Sequence, residues 1–431
     1  MGARETFRSL RVRNFRLFIF GQIVSAGGTW MQAVAAPWLV LQLTGSGLAL
    51  GLDTSLQFLP ILLFGAWGGL IADRFDNRRV QLATQIAFAV PAFALWILDA
   101  TGVVRVWMVY LLSFLSGCVT AVDMPTRQSF YLEMVGPDDL TNAMSLTTAT
   151  FTGMRMIGPV IAGILIGTVG TAPVFLINGI SYMAVVAALL AMRVADLHPR
   201  ERVAKAAGQI REGIRYTWRE ANLRLPMLTM AVVFLFSFNF AVLLPLFAVW
   251  DLSGTGKTLG CLLAAWGAGS LAGALYMASR ATRPNPRRLA LLAVAVGVLS
   301  VALAAAPSLA VALVLLTPLG FAGIAFAITG NSTLQLTSAP DFRGRVMALY
   351  TLVFLGSTPF GALIAGWVAQ HLDPRTGFAA GGAIAVATGL CALLALARRA
   401  AASDVAASPS GALVGDGSFD EPLARADADG V

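Results

Sequence analysis

Long apolar runs, separated by brief clusters of Gly, Pro and charged residues, make up most of this chain. They are continuous and lack the period-2 alternation of barrel strands, so they predict membrane-spanning α-helices. The first set falls near Phe15 to Leu43, Ala49 to Ala72, Val80 to Asp99, Val106 to Val122, Ala143 to Val169 and Pro173 to Met192. The second set falls near Pro226 to Val249, Leu259 to Ala278, Leu289 to Ala306, Leu309 to Leu334, Val346 to Ala369 and Phe378 to Ala397. A bilayer core takes about 20 apolar residues per helix, so twelve spans use about 240 residues. The 431 residues therefore hold twelve spans and short loops.

Composition agrees, with 57% hydrophobic and only 12% charged residues, where a soluble domain carries about 25% charged. The placement of charge adds an orientation. With loops assigned to alternating sides, the 30 basic residues fall on one side, except Arg105, Lys257 and Arg375 opposite and Arg155 inside a span. By the positive-inside rule that side is cytoplasmic, so both termini are inside and the span count is even. The net charge of +8 is this topological bias and calls for no nucleic-acid partner. Arg4, Arg8, Arg11 and Arg13 precede the first run as in a secretory signal. That run is too long for a signal core and no small-residue cleavage site follows, so it reads as an uncleaved first helix.

The stretch from Arg193 to Arg224 is the one long hydrophilic interruption. It divides the chain into an N-terminal six-helix half (1–192), a cytoplasmic linker (193–225) and a C-terminal six-helix half (226–399). Within the linker, Ile210, Ile214 and Trp218 recur at i, i+4 and i+8 beside Arg211, Arg215 and Arg219. This predicts an amphipathic helix, either at the membrane interface or solvated with a packing face. The halves echo one another. Pro137-Asp138 precedes the fifth run as Pro340-Asp341 precedes the eleventh, and Arg78-Arg79 precedes the third as Arg287-Arg288 precedes the ninth. That is the pattern of an internally duplicated carrier. The Ala-, Gly-, Ser- and Asp-rich tail, 400–431, is expected to be a disordered cytoplasmic end.

Little supports other chemistries. Cys118, Cys261 and Cys391 all lie inside predicted spans and form no CxxC pair, so they are expected to be buried apolar side chains. With only His198 and His371, no histidine metal cluster is indicated. Gly254-Thr-Gly-Lys-Thr258 imitates a phosphate loop, but Asp251 stands where the first Gly is needed and no strand precedes it. No nucleotide, metal or other cofactor is expected. A membrane enzyme would need convergent titratable residues at one depth, and the spans offer too few.

Polar residues within spans mark the candidate site. A charge at bilayer depth is expensive and normally faces a cavity or a partner. Arg155, about three turns into its span, is therefore an anion-binding or gating cation, or one member of a structural pair with an acid. Asp53, near the outer end of the second span, is the matching acid and a candidate proton carrier. Gln22, Ser25, Thr29 and Gln32 form one helical stripe that faces either the central cavity or another helix. Asn239 in the seventh span, and Asn331 and Gln335 in the tenth, are further candidates for coupling or substrate binding. Gly158, Pro159 and Gly163 allow close helix packing and a local bend, or help prevent leak.

Gly69-Leu-Ile-Ala-Asp-Arg-Phe-Asp-Asn-Arg-Arg79, directly after the second run, resembles the signature loop of the major facilitator superfamily. Further similar segments are Asn14-Phe-Arg-Leu-Phe, Gly28-Thr-Trp-Met-Gln32, Pro125-Thr-Arg-Gln128, Arg155-Met-Ile-Gly-Pro159, Glu212-Gly-Ile-Arg-Tyr216 and Arg343-Gly-Arg-Val-Met347. Together they resemble the enterobactin-exporter-like and macrolide-efflux-like branch, over the chain to about Arg399. The resemblance implies the major facilitator fold and an ion-gradient-driven efflux permease of the bacterial inner membrane. Gly69 would then allow close helix approach. Asp73 would latch onto a helix N-terminus of the opposite half, with Arg74 and Arg78 as candidate ion-pair partners of Asp123. Arg343 and Arg345 are the gating candidates of the second half. Asp76 and Asn77 depart from the family pattern, where Gly and Arg are usual. Ser113, four residues before Gly117, stands where many drug/proton antiporters carry an arginine.

These features predict a secondary transporter, not an enzyme, exporting a small amphipathic, drug- or siderophore-like compound by alternating access. Protons are the expected coupling ion and the lipid bilayer the other partner. An importer or uniporter on the same fold, and more remotely a non-transporting sensor or scaffold, stay open.

Overall fold

The computed structural model describes residues 7–198, 209–279 and 285–407, which are overwhelmingly helical. The N-terminal half holds α1 (Arg13–Thr44), α2 (Gly47–Arg74) and α3 (Asn77–Ala100). A 64-residue stretch, Val106–Val169, then breaks at Gly136 into α4 (106–135) and α5 (137–169), and α6 (Ala172–Leu190) follows. The linker contributes α7 (Gln209–Arg219). The C-terminal half holds α8 (Ala221–Ser237), α9 (Phe240–Leu246) with a π-turn at Phe247–Asp251, and α10 (Gly256–Ser279). It continues with α11 (Pro286–Ala304), α12 (Leu309–Thr337), α13 (Pro340–His371) and α14 (Pro374–Ala407). Among the described residues, 11 helical stretches are long and apolar enough to cross a membrane, with Val106–Val169 counted once.

Local chemistry sets many of the boundaries. Gly45 ends α1 in the left-handed region, φ 60°, and Ser46 then caps α2 by accepting from the Ala49 amide. The Asp76 carboxylate accepts from the Arg79 amide at 2.8 Å and so caps α3. Asn77 is buried and donates to Glu133 Oε1 at 2.6 Å, tying the start of α3 to the end of α4. The two departures from the family loop thus have structural roles: one starts a helix and the other joins two.

Four boundaries differ from the sequence reading. No loop separates the fourth and fifth runs, because 123–142 is helical on both sides of Gly136. Gly136 has φ 72° and ψ 176°, and an added Cβ there would meet His198 Nε2 at 3.1 Å. The turn therefore needs glycine both for its backbone and for the histidine packed on it. The seventh run is discontinuous: α8 stops at Ser237, and Phe238 and Asn239 carry non-helical dihedrals before α9. α8 also starts at Ala221, inside the expected linker, and α14 runs to Ala407, past the expected boundary at Arg399. The rest of the expected disordered tail, 408–431, and linker residues Arg200, Arg202 and Lys205 lie outside the described residues.

The two halves meet through small residues. An added Cβ on Gly51 of α2 would lie 2.5 Å from the Ala362 carbonyl oxygen of α13, and one on Gly163 of α5 would lie 2.5 Å from Gly260 Cα of α10. Backbones approach this closely only where a side chain is missing. Toward the other end of the same helices, Gly65, Gly69, Gly153 and Gly344 would meet nothing within 4 Å. The close approach expected of Gly69 is made instead by its neighbour Gly68, which packs on the Ala121 carbonyl of α4.

Helix α7 docks on the start of α13. Tyr216 stacks on Phe342 with ring centroids 4.3 Å apart, its hydroxyl accepts from the Ala339 amide, and Glu212 pairs with Arg345 at 3.1 Å. The Ile214 and Trp218 side chains stay exposed. Of the cysteines, Cys118 is half-buried, while Cys261 and Cys391 are exposed on their helices, contrary to the burial expected of all three.

Candidate transport cavity

The six helices of the N-terminal half, α1 to α6, line a cavity of about 170 Å³, to which α1 and α4 contribute most. Its polar centre is Asp123 of α4. One Asp123 oxygen accepts from Gln81 at 3.1 Å, Thr84 at 2.8 Å and Gln85 at 3.0 Å. The other faces Arg127 at 3.3 Å. Gln81, Thr84 and Gln85 fall at i, i+3 and i+4, so one face of α3 aims three donors at a single acid. Arg127 lies over the Phe151 ring, 4.9 Å from its centroid, and donates to Gln22 Oε1 at 3.3 Å.

The polar stripe of α1 faces this space. Gln22, Ser25, Thr29 and Gln32 all line the cavity. Thr29 also meets the Tyr182 hydroxyl at 3.2 Å, and Gln32 accepts from Asn178 at 2.7 Å. Gln22, Thr29 and Gln32 therefore both line the cavity and bond to neighbouring helices.

Several expected partnerships do not form. Asp123 pairs with Arg127, one turn away on its own helix, and not with Arg74 or Arg78. Arg74 is exposed at the end of α2, and Arg78 donates to the Leu189 carbonyl at 2.9 Å. Arg155 and Asp53 are not paired. Asp53, buried on α2, accepts from Ser113 of α4 at 2.7 Å. The guanidinium of Arg155 lies 5.2 Å from the ring centre of Trp30 and 4.8 Å from that of Trp266. Arg343 donates to the Gln335 carbonyl, so it and Arg345 serve their own half and its linker.

Asn239, Asn331 and Gln335 do not line this cavity. Asn239 sits at the α8–α9 break and donates to the Leu235 carbonyl, while Gln335 donates to Asn331 at 2.8 Å. Asp73 closes the last turn of α2. An added Cβ on Gly158 would lie 2.7 Å from Trp30 Cβ, and Gly163 faces Gly260, so Gly158 and Gly163 face α1 and α10 with the buried Pro159 between them. The phosphate-loop lookalike forms the entry to α10, where Thr258 Oγ1 accepts from the Thr255 amide. Sequence reasoning passed over Arg127, Gln85, Asn178 and Tyr182. The signal available for them was Asp123-x-x-x-Arg127 together with the Gln81, Thr84, Gln85 face.

A family model described as transmembrane secretion effector matches residues 4–420. The chain belongs to this family of major facilitator proteins. It is 29% identical over 389 residues to the multidrug efflux pump Tap of Mycobacterium tuberculosis H37Rv, covering 88% of this chain and 92% of Tap. Over 160 residues it is 27% identical to the staphyloferrin A transporter of Staphylococcus aureus NCTC 8325, covering 37% and 40% of the two chains. The fold matches a crystal structure of the peptide transporter POT, with TM-score 0.72 at 12% identity over 89% of this chain and 94% of that one. It also matches the nucleoside transporter NupG, with TM-score 0.69 at 11% identity over 89% and 98%. As a major facilitator protein, the chain is a multi-pass transporter of the bacterial cytoplasmic membrane and not an enzyme. The sensor or scaffold reading is thereby set aside.

Proposed function

We propose that this transporter exports a small amphipathic compound by alternating access between its two halves, in exchange for protons. In this reading the chain crosses the bilayer twelve times, with α4 and α5 as separate passes and both termini cytoplasmic. The reading rests above all on the cavity built around Asp123 and Arg127. A charged group at bilayer depth costs about 2.5–3.5 kcal/mol on insertion scales. A bundle that carries two of them, ringed by amides and hydroxyls, gains from that outlay only if polar solute or water enters. Aromatic rings from Phe88, Phe151 and Tyr182 line the same space and suit an apolar body.

The outward direction is supported by the family and by Tap, whose name describes efflux. In the proposed topology the closed end at Gly51 and Gly163 is external, and the end with Gly65, Gly69 and Gly344 opens to the cytoplasm, where cargo for export would enter. The proton role is assigned to Asp53. This buried acid receives one hydroxyl hydrogen bond and has no ion-pair partner among the described residues. An unpaired buried carboxylate is costly, and a proton is the counter-ion that can come and go. The test is flux of a compound panel in proteoliposomes, with and without an imposed pH gradient. Outward-directed accumulation driven by the gradient is expected. Gradient-independent equilibration would make the protein a uniporter, and inward accumulation an importer.

A further inference from the structure

Two arginines, Arg127 on α4 and Arg155 on α5, lie within the membrane-spanning helices, and among the described residues only Arg127 faces a carboxylate. Arg127 has Asp123 beside it. Arg155 has two indole rings and, among the described residues, no carboxylate. Its Nε is buried without a hydrogen-bond acceptor, and so is Nε1 of Trp266, the ring it lies over. Stacking on indole stabilises the charge but leaves the N–H groups unanswered, because those donors lie in the guanidinium and indole planes. Two stacked side chains thus carry two orphaned donors and one positive charge without a carboxylate, and an anionic oxygen answers all three.

We propose that Arg155 and Trp266 form the binding site for a carboxylate of the cargo, so that the exported amphipath is an organic acid or a zwitterion. This rests on the transport reading above and narrows its substrate class. The site adjoins the cavity. Phe151 lines the cavity and lies one turn before Arg155 on α5, a rise of about 6 Å. A cargo whose apolar body lies against Phe151 reaches the guanidinium with a short acidic arm, and the faces of Trp30 and Trp266 flank that arm. The site also crosses the boundary between the halves. Trp30 and Arg155 belong to α1 and α5, whereas Trp266 belongs to α10 and packs against Phe240 of α9 at 5.6 Å. An anion held by both donors ties α5 to α10 about two turns along from the Gly163–Gly260 contact, so cargo binding favours the state in which these helices adjoin.

The test uses a matched pair of probes, 1-pyrenebutyrate and its primary amide, binding to the full chain in nanodiscs and followed by energy transfer from tryptophan. The carboxylate is expected to bind about tenfold tighter than the amide. R155Q is expected to bring the two affinities together, and R155K to keep part of the preference. W266F is expected to weaken the carboxylate more than the amide. Equal treatment of the two probes by the parental protein, bound or unbound, overturns the proposal, as does R155Q retaining the full preference. Everted vesicles from the same cells report uptake of each probe. Uptake of the amide with no carboxylate preference discards the anion site and keeps export, whereas a preference without uptake keeps the site and discards export.

Discussion

Asp123 and Arg127, one helical turn apart on α4, form a 3.3 Å ion pair whose acid is held by α3 and whose base reaches Gln22 of α1. The pair therefore fixes the relation of three helices around the cavity. Losing a hydrogen-bonded charged partner costs about 1.5–3 kcal/mol, on the order of 10- to 100-fold in an equilibrium it controls. R127A and D123N are each expected to lower flux by about tenfold or more, with insertion and abundance near parental, and R127K to retain part of it. Parental flux in R127A, measured in proteoliposomes, would detach the pair from transport.

Asp53 separates coupling from movement. D53N is expected to abolish accumulation driven by a pH gradient while preserving exchange of labelled for unlabelled cargo. S113A removes the one hydroxyl donor and is expected to shift the pH dependence with a smaller loss of rate. Gradient-driven accumulation that survives in D53N would move the proton site elsewhere.

The close approach of α2 and α13 offers a steric test of alternating access. Any side chain at Gly51 meets the Ala362 carbonyl, so G51L is expected to hold the closed end apart and stop transport. In that variant a cysteine introduced at Thr54, buried in the parental structure, should become reactive to external thiol reagents. Normal flux through G51L would show that this contact is not remade in each cycle.

Asp73 lies in the last turn of α2, at the cytoplasmic edge of the proposed topology. D73N is expected to reduce flux severalfold, leaving abundance near normal, because a neutral amide answers a helix N-terminus less well than a carboxylate does. Unchanged flux would reduce Asp73 to a topology-setting charge.

Orientation itself is tested by labelling in a variant lacking Cys118, Cys261 and Cys391. Cysteines at the exposed positions Thr255 and His371 are expected to react with impermeant reagents added to intact cells. Ones at Arg79 and Asp341, also exposed, should react only after permeabilisation. The reverse pattern would invert the topology.

The membrane class, the helical runs and the grouping of polar residues on α1 were legible in the chain. Each depends on local quantities: the length of an apolar run, the period of a helix and the side on which basic residues gather. Gln22, Ser25, Thr29 and Gln32 could be placed on one stripe because a spacing of three or four residues means one face in any helix. The family loop could be read at Gly69 to Arg79 because its residues are contiguous.

Partner choice could not be read that way, since it depends on which helix faces which and at what height. Arg127, one turn along the same helix, outcompeted Arg74 and Arg78 for Asp123 because it is held within reach of a buried acid, whereas Arg74 points out to solvent. Arg155 and Asp53 looked like a pair by charge alone. The bundle instead set two tryptophans from opposite halves against the arginine and a serine against the aspartate. The break at Asn239 and the turn at Gly136 were equally hidden, for in both places the backbone departs from the helix an apolar run would otherwise continue.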